Sequence, residues 1–339
     1  MIRIVGAIAA MSVLFACAHA ASNEQREAPG YHIVERIPMS DGWWDYATFD
    51  PTNRRLFVSR GDGVFKLDVD TGVIDPQIIP GSEGRATIVL PGGDTILSTM
   101  AGYSAAILFN ANTGVPNHLI DLVQVPDSAV YDPATKLVWV LGRHGVATLI
   151  DPMLEKTVGE VTIGDQLEFA VVDGVGRLFV NVVNKGEVAV VDTRTRLALR
   201  RYRLNGCKEP TGLAYVEAHN LLISVCTNGV AKVLEAATGK EIASLPVGED
   251  ADAVIYDAVR QRAFIQSAKD GILSIVAVLS ANDIQVVERD KTQIGTRTGA
   301  IDPKTGRLYL PAARFGPKNK LGWADPLPGS VELLVLAPH

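Results

Sequence analysis

Short apolar runs recur along most of the chain, broken every few residues by Gly, Pro, Asn or Asp. Runs such as Gly63-Val64-Phe65-Lys66-Leu67-Asp68 and Glu187-Val188-Ala189-Val190-Val191-Asp192 are rich in β-branched and aromatic residues. Their side chains alternate with a period of two, as on a pleated strand, and are not spaced at the 3.6-residue period of a helix. The pattern predicts an all-β protein in which helices are scarce.

The runs are organised by a repeat. An apolar strand ends in Asp-Pro, a short polar turn follows, and a second apolar strand begins. Clear copies lie at 47–58, 129–140 and 300–310, around Asp50-Pro51, Asp132-Pro133 and Asp302-Pro303. Looser copies lie at 170–180, 213–224 and 254–265, and a worn one at 87–97 takes its turn from Pro91-Gly92-Gly93-Asp94. An Asp at a strand end bonds its own backbone two residues on, and Pro presets φ for the turn. A third strand follows each pair and closes in turns such as Asp70-Thr71-Gly72, Asn112-Thr113-Gly114 or Ala237-Thr238-Gly239, and a fourth strand leads out. The copies recur at close to the roughly 40–45 residues expected of one propeller blade. The chain is therefore expected to be a seven-bladed β-propeller with four antiparallel strands per blade. One strand, 31–37, precedes the first copy. It fits as the outer strand of the last blade beside 331–336, which would close the ring and remove free edges.

The phrases Trp44-Asp45-Tyr46, Leu56-Phe57-Val58-Ser59, Glu209-Pro210-Thr211-Gly212-Leu213-Ala214 and Asp302-Pro303-Lys304-Thr305-Gly306-Arg307-Leu308-Tyr309 resemble the YVTN-repeat, YncE-like β-propellers of the quinoprotein amine dehydrogenase-like superfamily. The resemblance covers nearly all of the chain after the first 30 residues. The tetrapeptide is degenerate, reading Phe57-Val58-Ser59-Arg60, Phe179-Val180-Asn181-Val182 and Tyr309-Leu310-Pro311-Ala312. It implies a periplasmic or surface propeller and little about activity. Quinoprotein amine dehydrogenase heavy chains and some lactonases resemble it in fold only.

The N-terminus reads as an export signal. Met1-Ile2-Arg3 is followed by an apolar stretch to Cys17, too short for a spanning helix, which needs roughly 18 or more apolar residues. Two processing sites compete. Ala18-His19-Ala20 suits ordinary signal peptidase, and Leu14-Phe15-Ala16-Cys17 resembles a lipobox that would anchor the chain to a membrane through Cys17. The organisation expected is a signal at 1–20, a flexible leader at 21–30 and one propeller domain at 31–339, periplasmic or in the cell envelope and monomeric. Cys207 and Cys226 remain as a pair, expected to form a disulfide in an oxidising compartment. A net charge of −6 gives no footprint for a nucleic-acid backbone, so no nucleic acid is expected as a partner.

Candidate chemistry lies in the loops that converge at one mouth of the central channel. The loops leading into the inner strands carry Asp45, Asp127, Glu168, Glu209 and Asp252, with Arg85 and Arg297 in the other positions. Such a ring could hold a cationic ligand, a hard cation or an acid–base pair, or could serve only to brace its own loops. The loops joining second and third strands add Arg60, Tyr103, Arg143, His144, Asn181, Asn184, Asn228, Gln266, Lys269 and Arg314, residues suited to an anionic or sugar-like ligand or to salt bridges across the channel. Trp43 and Trp44 could stack on a flat ligand or pack between blades. A Pro-rich insertion at 314–329, with Trp323, could be a lid or a spacer. No G-x-S-x-G, H-E-x-x-H, C-x-x-C-H or phosphate-cradling loop is present, and no local spacing defines a metal site. Two functions stand: a propeller binding a small molecule or an envelope protein at its funnel with no cofactor evident, or a hydrolase, lactonase or lyase using funnel carboxylates with or without a divalent cation.

Overall fold

The computed structural model describes residues 30–317, 320 and 324–339. The stretches expected to be a signal peptide and a lipobox, nearly all of the expected leader, and Trp323 lie outside them. Twenty-eight strands form seven four-stranded antiparallel sheets, and the only helical pieces among the described residues are three single 3₁₀ turns. The inner strands of blades 1 to 7 are Trp44–Asp50, Gly84–Val89, Pro126–Asp132, Leu167–Val172, Pro210–Val216, Ala251–Asp257 and Ala300–Ile301. Each blade then steps outward through consecutive hairpins, strand beside strand.

The last blade is composite. Its outer strand is Tyr31–Pro38, paired antiparallel with Glu332–Pro338 from Tyr31 opposite Pro338 to Pro38 opposite Glu332. The closing strand read from the sequence is thus present, with a bulge between Ile33 and Glu35.

Each sheet is covered on both faces by its neighbours, so second strands such as Leu137–Gly142 and Arg262–Ser267 are buried along their whole length. The apolar side chains sort into seven clusters, one in each gap between blades. An open ring of seven blades would have six gaps. The seventh gap joins the two ends of the chain: Leu56, Phe65, Tyr309 and Leu333 bury together between blades 7 and 1.

At the bottom of the ring the strand-end aspartates work as the repeat predicted. Asp50 Oδ1 accepts from the backbone N–H of Thr52 and Asn53, and Asp173 Oδ1 from Val175, Gly176 and Arg177. Asp302 also accepts a two-pronged bond from Arg54, 2.9 Å at each prong, which ties blade 7 to blade 1. The Arg54 guanidinium and the backbone donors hold the Asp302 carboxyl down at about 2 against the opposing effect of its burial.

Cys207 and Cys226 form the expected disulfide, with Cα atoms 5.5 Å apart. It staples the loop entering blade 5 to the end of that blade's second strand, where Cys226 lies opposite Pro210. Closing a loop of 19 residues removes chain entropy from the unfolded state worth about 3 kcal/mol. The Cys207→Ser/Cys226→Ala chain is therefore expected to unfold at lower urea, short of the parent by about 3 kcal/mol. The same loss should follow when the parent is reduced. A midpoint insensitive to both changes would contradict this.

Candidate functional site

One count along the sequence locates the site. The residue five positions before the strand-end position is Asp45, Arg85, Asp127, Glu168, Thr211, Asp252 and Arg297 in blades 1 to 7. All of these except Thr211 line one cavity of about 1160 Å3 at the upper mouth of the channel. Ligand pockets commonly hold about 300–1,000 Å3, so the cup is roomy for a small molecule.

Polar links between adjacent inner strands fix these positions. Thr298 donates to the Asp45 carbonyl at 2.9 Å, and Ser128 to the Glu168 carbonyl at 2.6 Å. Asn181 donates to the Thr211 carbonyl at 2.6 Å, and Thr211 to the Ala251 carbonyl at 2.8 Å. Close approach of the strands needs glycine in places. A Cβ on Gly212 would fall 2.7 Å from the Ala253 Cα, and one on Gly84 would fall 2.8 Å from the Arg60 carbonyl oxygen.

The next residue down each inner strand lies one layer below those that line the cup. In five blades it is small or short: Ala86, Ser128, Gly212, Ala253 and Thr298. In blades 1 and 4, on opposite sides of the channel, it is Tyr46 and Phe169. The two rings meet edge to face with centroids 5.2 Å apart, and the Tyr46 hydroxyl donates to Glu168 Oε1 at 2.9 Å. Two large rings fit because the other five blades leave the room. Tyr46 was not singled out by the sequence; the signal that could have found it is this pair of aromatics in a column of small residues.

Four inner-strand carboxylates face the axis, and Glu83, Asp165 and Asp325 add three more to the cup wall, against the arginines Arg85, Arg143 and Arg297. Asp45 pairs with Arg85 at 3.0 Å, and Asp127 with Arg143 at 3.3 Å. The Asp45 side chain keeps 22% of its surface open to the funnel but is ringed by protein, and this desolvation raises its pKa. Asp127 adds repulsion, Arg85 opposes it, and the carboxyl settles at about 7. Burial likewise lifts Asp252 to about 6, with Arg297 holding it back and Asp250 and Asp127 pushing it up. Burial and the charges of Asp127 and Asp252 drive Glu168 well above the carboxylate range. Burial beside Glu168 drives the Tyr46 phenol up as well. The cup thus holds protonated and ionised carboxyls together near neutral pH, able to donate and accept hydrogen bonds, to attract a cation, or to exchange protons. Among the described residues no three His, Cys, Asp or Glu side chains group so as to hold a metal ion.

The rim is mixed. Trp43, half exposed, faces Phe315 at 5.9 Å, while Trp44 is buried in the cluster between blades 7 and 1. Phe315 opens the Pro-rich insertion, which pairs back on itself at Pro326 and brings Asp325 to the cavity wall. Arg143, His144 and Asn184 also line the cup, joined by Asp165 and Gln166, which the sequence did not single out.

Other residues expected at the funnel lie elsewhere. Glu209 is exposed on the loop above blade 5, where it accepts from Thr227, because the register gives the channel position to Thr211. Arg60 is buried, bonded to Asp62 and the Asp41 carbonyl. Asn181 and Gln266 are buried between blades, since their strand positions turn toward the neighbouring sheet. Tyr103 is exposed on a 3₁₀ turn, and Arg314 is exposed at the start of the insertion; neither lines the cavity.

The raised carboxyls carry a stability signature. Asp45 and Asp252 hold protons more tightly folded than unfolded, so their contribution is complete below the unfolded value near ~4 and is lost as pH rises to about 6–7. Asp252→Asn is expected to match the parent at pH ~4 and to exceed it at pH ~8 by on the order of 1–2 kcal/mol, after discounting for water in the open funnel. Melting curves across that range check it; a variant less stable than the parent at the alkaline end would refute it.

No family model matches the sequence, and no curated protein matches it either. Solved structures match through shape. A chain in "Crystal Structure of Mitotic Checkpoint Complex" is 11% identical with a TM-score of 0.74, covering 99% of this chain and 97% of that one. "Kuenenia stuttgartiensis Hydrazine Synthase" is 16% identical with a TM-score of 0.69, covering 83% and 96%. "Crystal structure of Myceliophteria_thermophila Cps50 (Swd1) beta-propeller domain" is 14% identical with a TM-score of 0.71, covering 91% and 100%. At such identities the likeness shows the fold alone, and the fold is a seven-bladed β-propeller.

Proposed function

We propose that the chain is an exported, YncE-like propeller that binds a small polar ligand in the cup, one carrying a cationic group or several hydroxyls. One observation carries this reading: the inner-strand register puts four carboxyls and two guanidiniums around a single cavity, with the Tyr46 hydroxyl donating to one of the carboxyls. Carboxylates outnumber the guanidiniums, which favours a cation. Carboxyls near their midpoints both donate and accept, which suits hydroxyls. Trp43 at the rim offers a face for a ring. The recessed position of these carboxyls, with Asp45 largely covered, favours a small molecule over an envelope protein. The disulfide and the N-terminal export pattern together support an oxidising, extracytoplasmic address.

A second reading is an enzyme acting on such a ligand as a hydrolase, lactonase or lyase. It rests on Asp45, held at about 7 beside Arg85, a value suited to a general acid or base.

Thermal-shift and calorimetric titrations with polyamines, amino sugars, neutral sugars, lactones and divalent cations test both. Binding is expected from the amine- or hydroxyl-bearing compounds. Asp127→Asn and Trp43→Ala should each weaken it about tenfold, roughly 1.4 kcal/mol. Glu209→Ala should leave it unchanged. Equal affinity in all three variants would place the ligand elsewhere. Turnover of a bound compound by the parent and not by Asp45→Asn would establish the enzymatic reading.

A further inference from the structure

Away from the cup, one stretch concentrates charge of the opposite sign. Five arginines, Arg194, Arg196, Arg200, Arg201 and Arg203, fall within ten residues of a chain whose net charge is −6. They occupy the outer strand of blade 4, Leu197–Arg203, and the turn before it. Every residue of that strand is exposed except Tyr202, whose ring is buried and whose hydroxyl donates to the carbonyls of Ala236 and Ala237. Among the described residues, none of the five forms an ion pair with a carboxylate.

Bare apolar residues sit beside them. Met153 and Leu154, at the lower turn of blade 3, are 87% and 59% exposed, and Leu197 is 60% exposed. The tips touch: Arg196 donates to the Val158 carbonyl of blade 3, and Arg194 to the Val175 carbonyl at the adjoining lower turn. The arginines do not line one backbone edge. Arg201 reaches blade 3 at the Ile163 carbonyl, and Arg200 reaches blade 5 at the Ala237 carbonyl. The five arginines stay on blade 4 and point to both sides of its outer strand, so their charge covers a face and not a single edge. That shape suits a broad anionic surface better than a single acidic strand.

We propose that the outer strand of blade 4, with the exposed lower turn of blade 3 beside its lower end, docks on an anionic lipid bilayer. Met153 and Leu154 enter the headgroup region, and the arginines of blade 4 meet lipid phosphates. The lower turns lie at the opposite ends of the strands from the loops that line the cup.

The test is co-sedimentation of the full chain with vesicles of phosphatidylcholine, alone or with about one-third phosphatidylglycerol. The N-terminal apolar stretch is the same in every variant, so differences between variants and between lipids read the rim. Binding is expected to be about tenfold tighter to the anionic vesicles and to fall away as salt is raised toward about 1 M. Arg194→Gln/Arg200→Gln/Arg203→Gln should abolish the preference, and Met153→Ser/Leu154→Ser should weaken binding several-fold. Near-ultraviolet circular dichroism establishes that each variant is folded. If the arginine variant does not fold, the Met153/Leu154 variant, altered only on an exposed turn, carries the test. Parent-like binding by the arginine variant overturns the proposal. Unchanged binding by the Met153/Leu154 variant overturns it too, since the lower turn of blade 3 would then take no part in the contact.

Discussion

The pairing of Tyr31–Pro38 with Glu332–Pro338 is the constraint on which the rest depends. A propeller blade buries both faces only if it has a neighbour on each side, so the ring is stable only when closed. Here closure falls to the two ends of the chain, which together build blade 7. Its seam is held by an apolar cluster through Leu56, Tyr309 and Leu333 and by the Arg54–Asp302 bond at the lower edge. The separation of the inner strands follows from how many blades close the circle. The width of the cup, and whether Tyr46 can reach Glu168 across it, follow in turn.

Closure also explains why the cup is electrostatically costly. Seven strands converging on one axis bring the same register position of every blade together. When four of those positions carry carboxyls, burial and the neighbouring charges push Asp45, Glu168 and Asp252 up. A core built for stability alone would not collect unbalanced acids there. Arg85 and Arg297 offset part of the charge, and protons on Glu168 and Asp45 offset more. Perturbed carboxyls in a cavity are a mark of functional sites, for this physical reason. Charge is segregated in the ring: acids converge on the upper axis, and arginines line the outer strand of blade 4.

Much of the fold was legible in the sequence because its signals are local. The Asp-Pro turns, the period-two runs and the leftover first strand are each set by neighbouring residues, and Asp50, Asp173 and Asp302 do in the structure what such aspartates do in any turn. Cys207 and Cys226 needed only parity and a compartment. The site was legible in part. Asp45, Asp127, Glu168 and Asp252 stood out as carboxylates near inner strands, but so did Glu209, which misses the channel by two residues. Counting five back from the strand end would have separated them. Arg60, Asn181 and Gln266 could not be assigned in this way, because which face of a second strand meets the neighbouring blade depends on the twist between sheets.

The sequence by itself determined the architecture, the number of blades and the strand that closes them, since each is a repeat of local chemistry that the chain carries wherever it lies. Only the tertiary structure decided what meets across the axis. Tyr46 and Glu168 are 122 residues apart and belong to blades that share no sheet. Their contact and the lifted carboxyls beside it arise from ring closure, which brings distant strands to one axis and excludes the water that would otherwise solvate those acids.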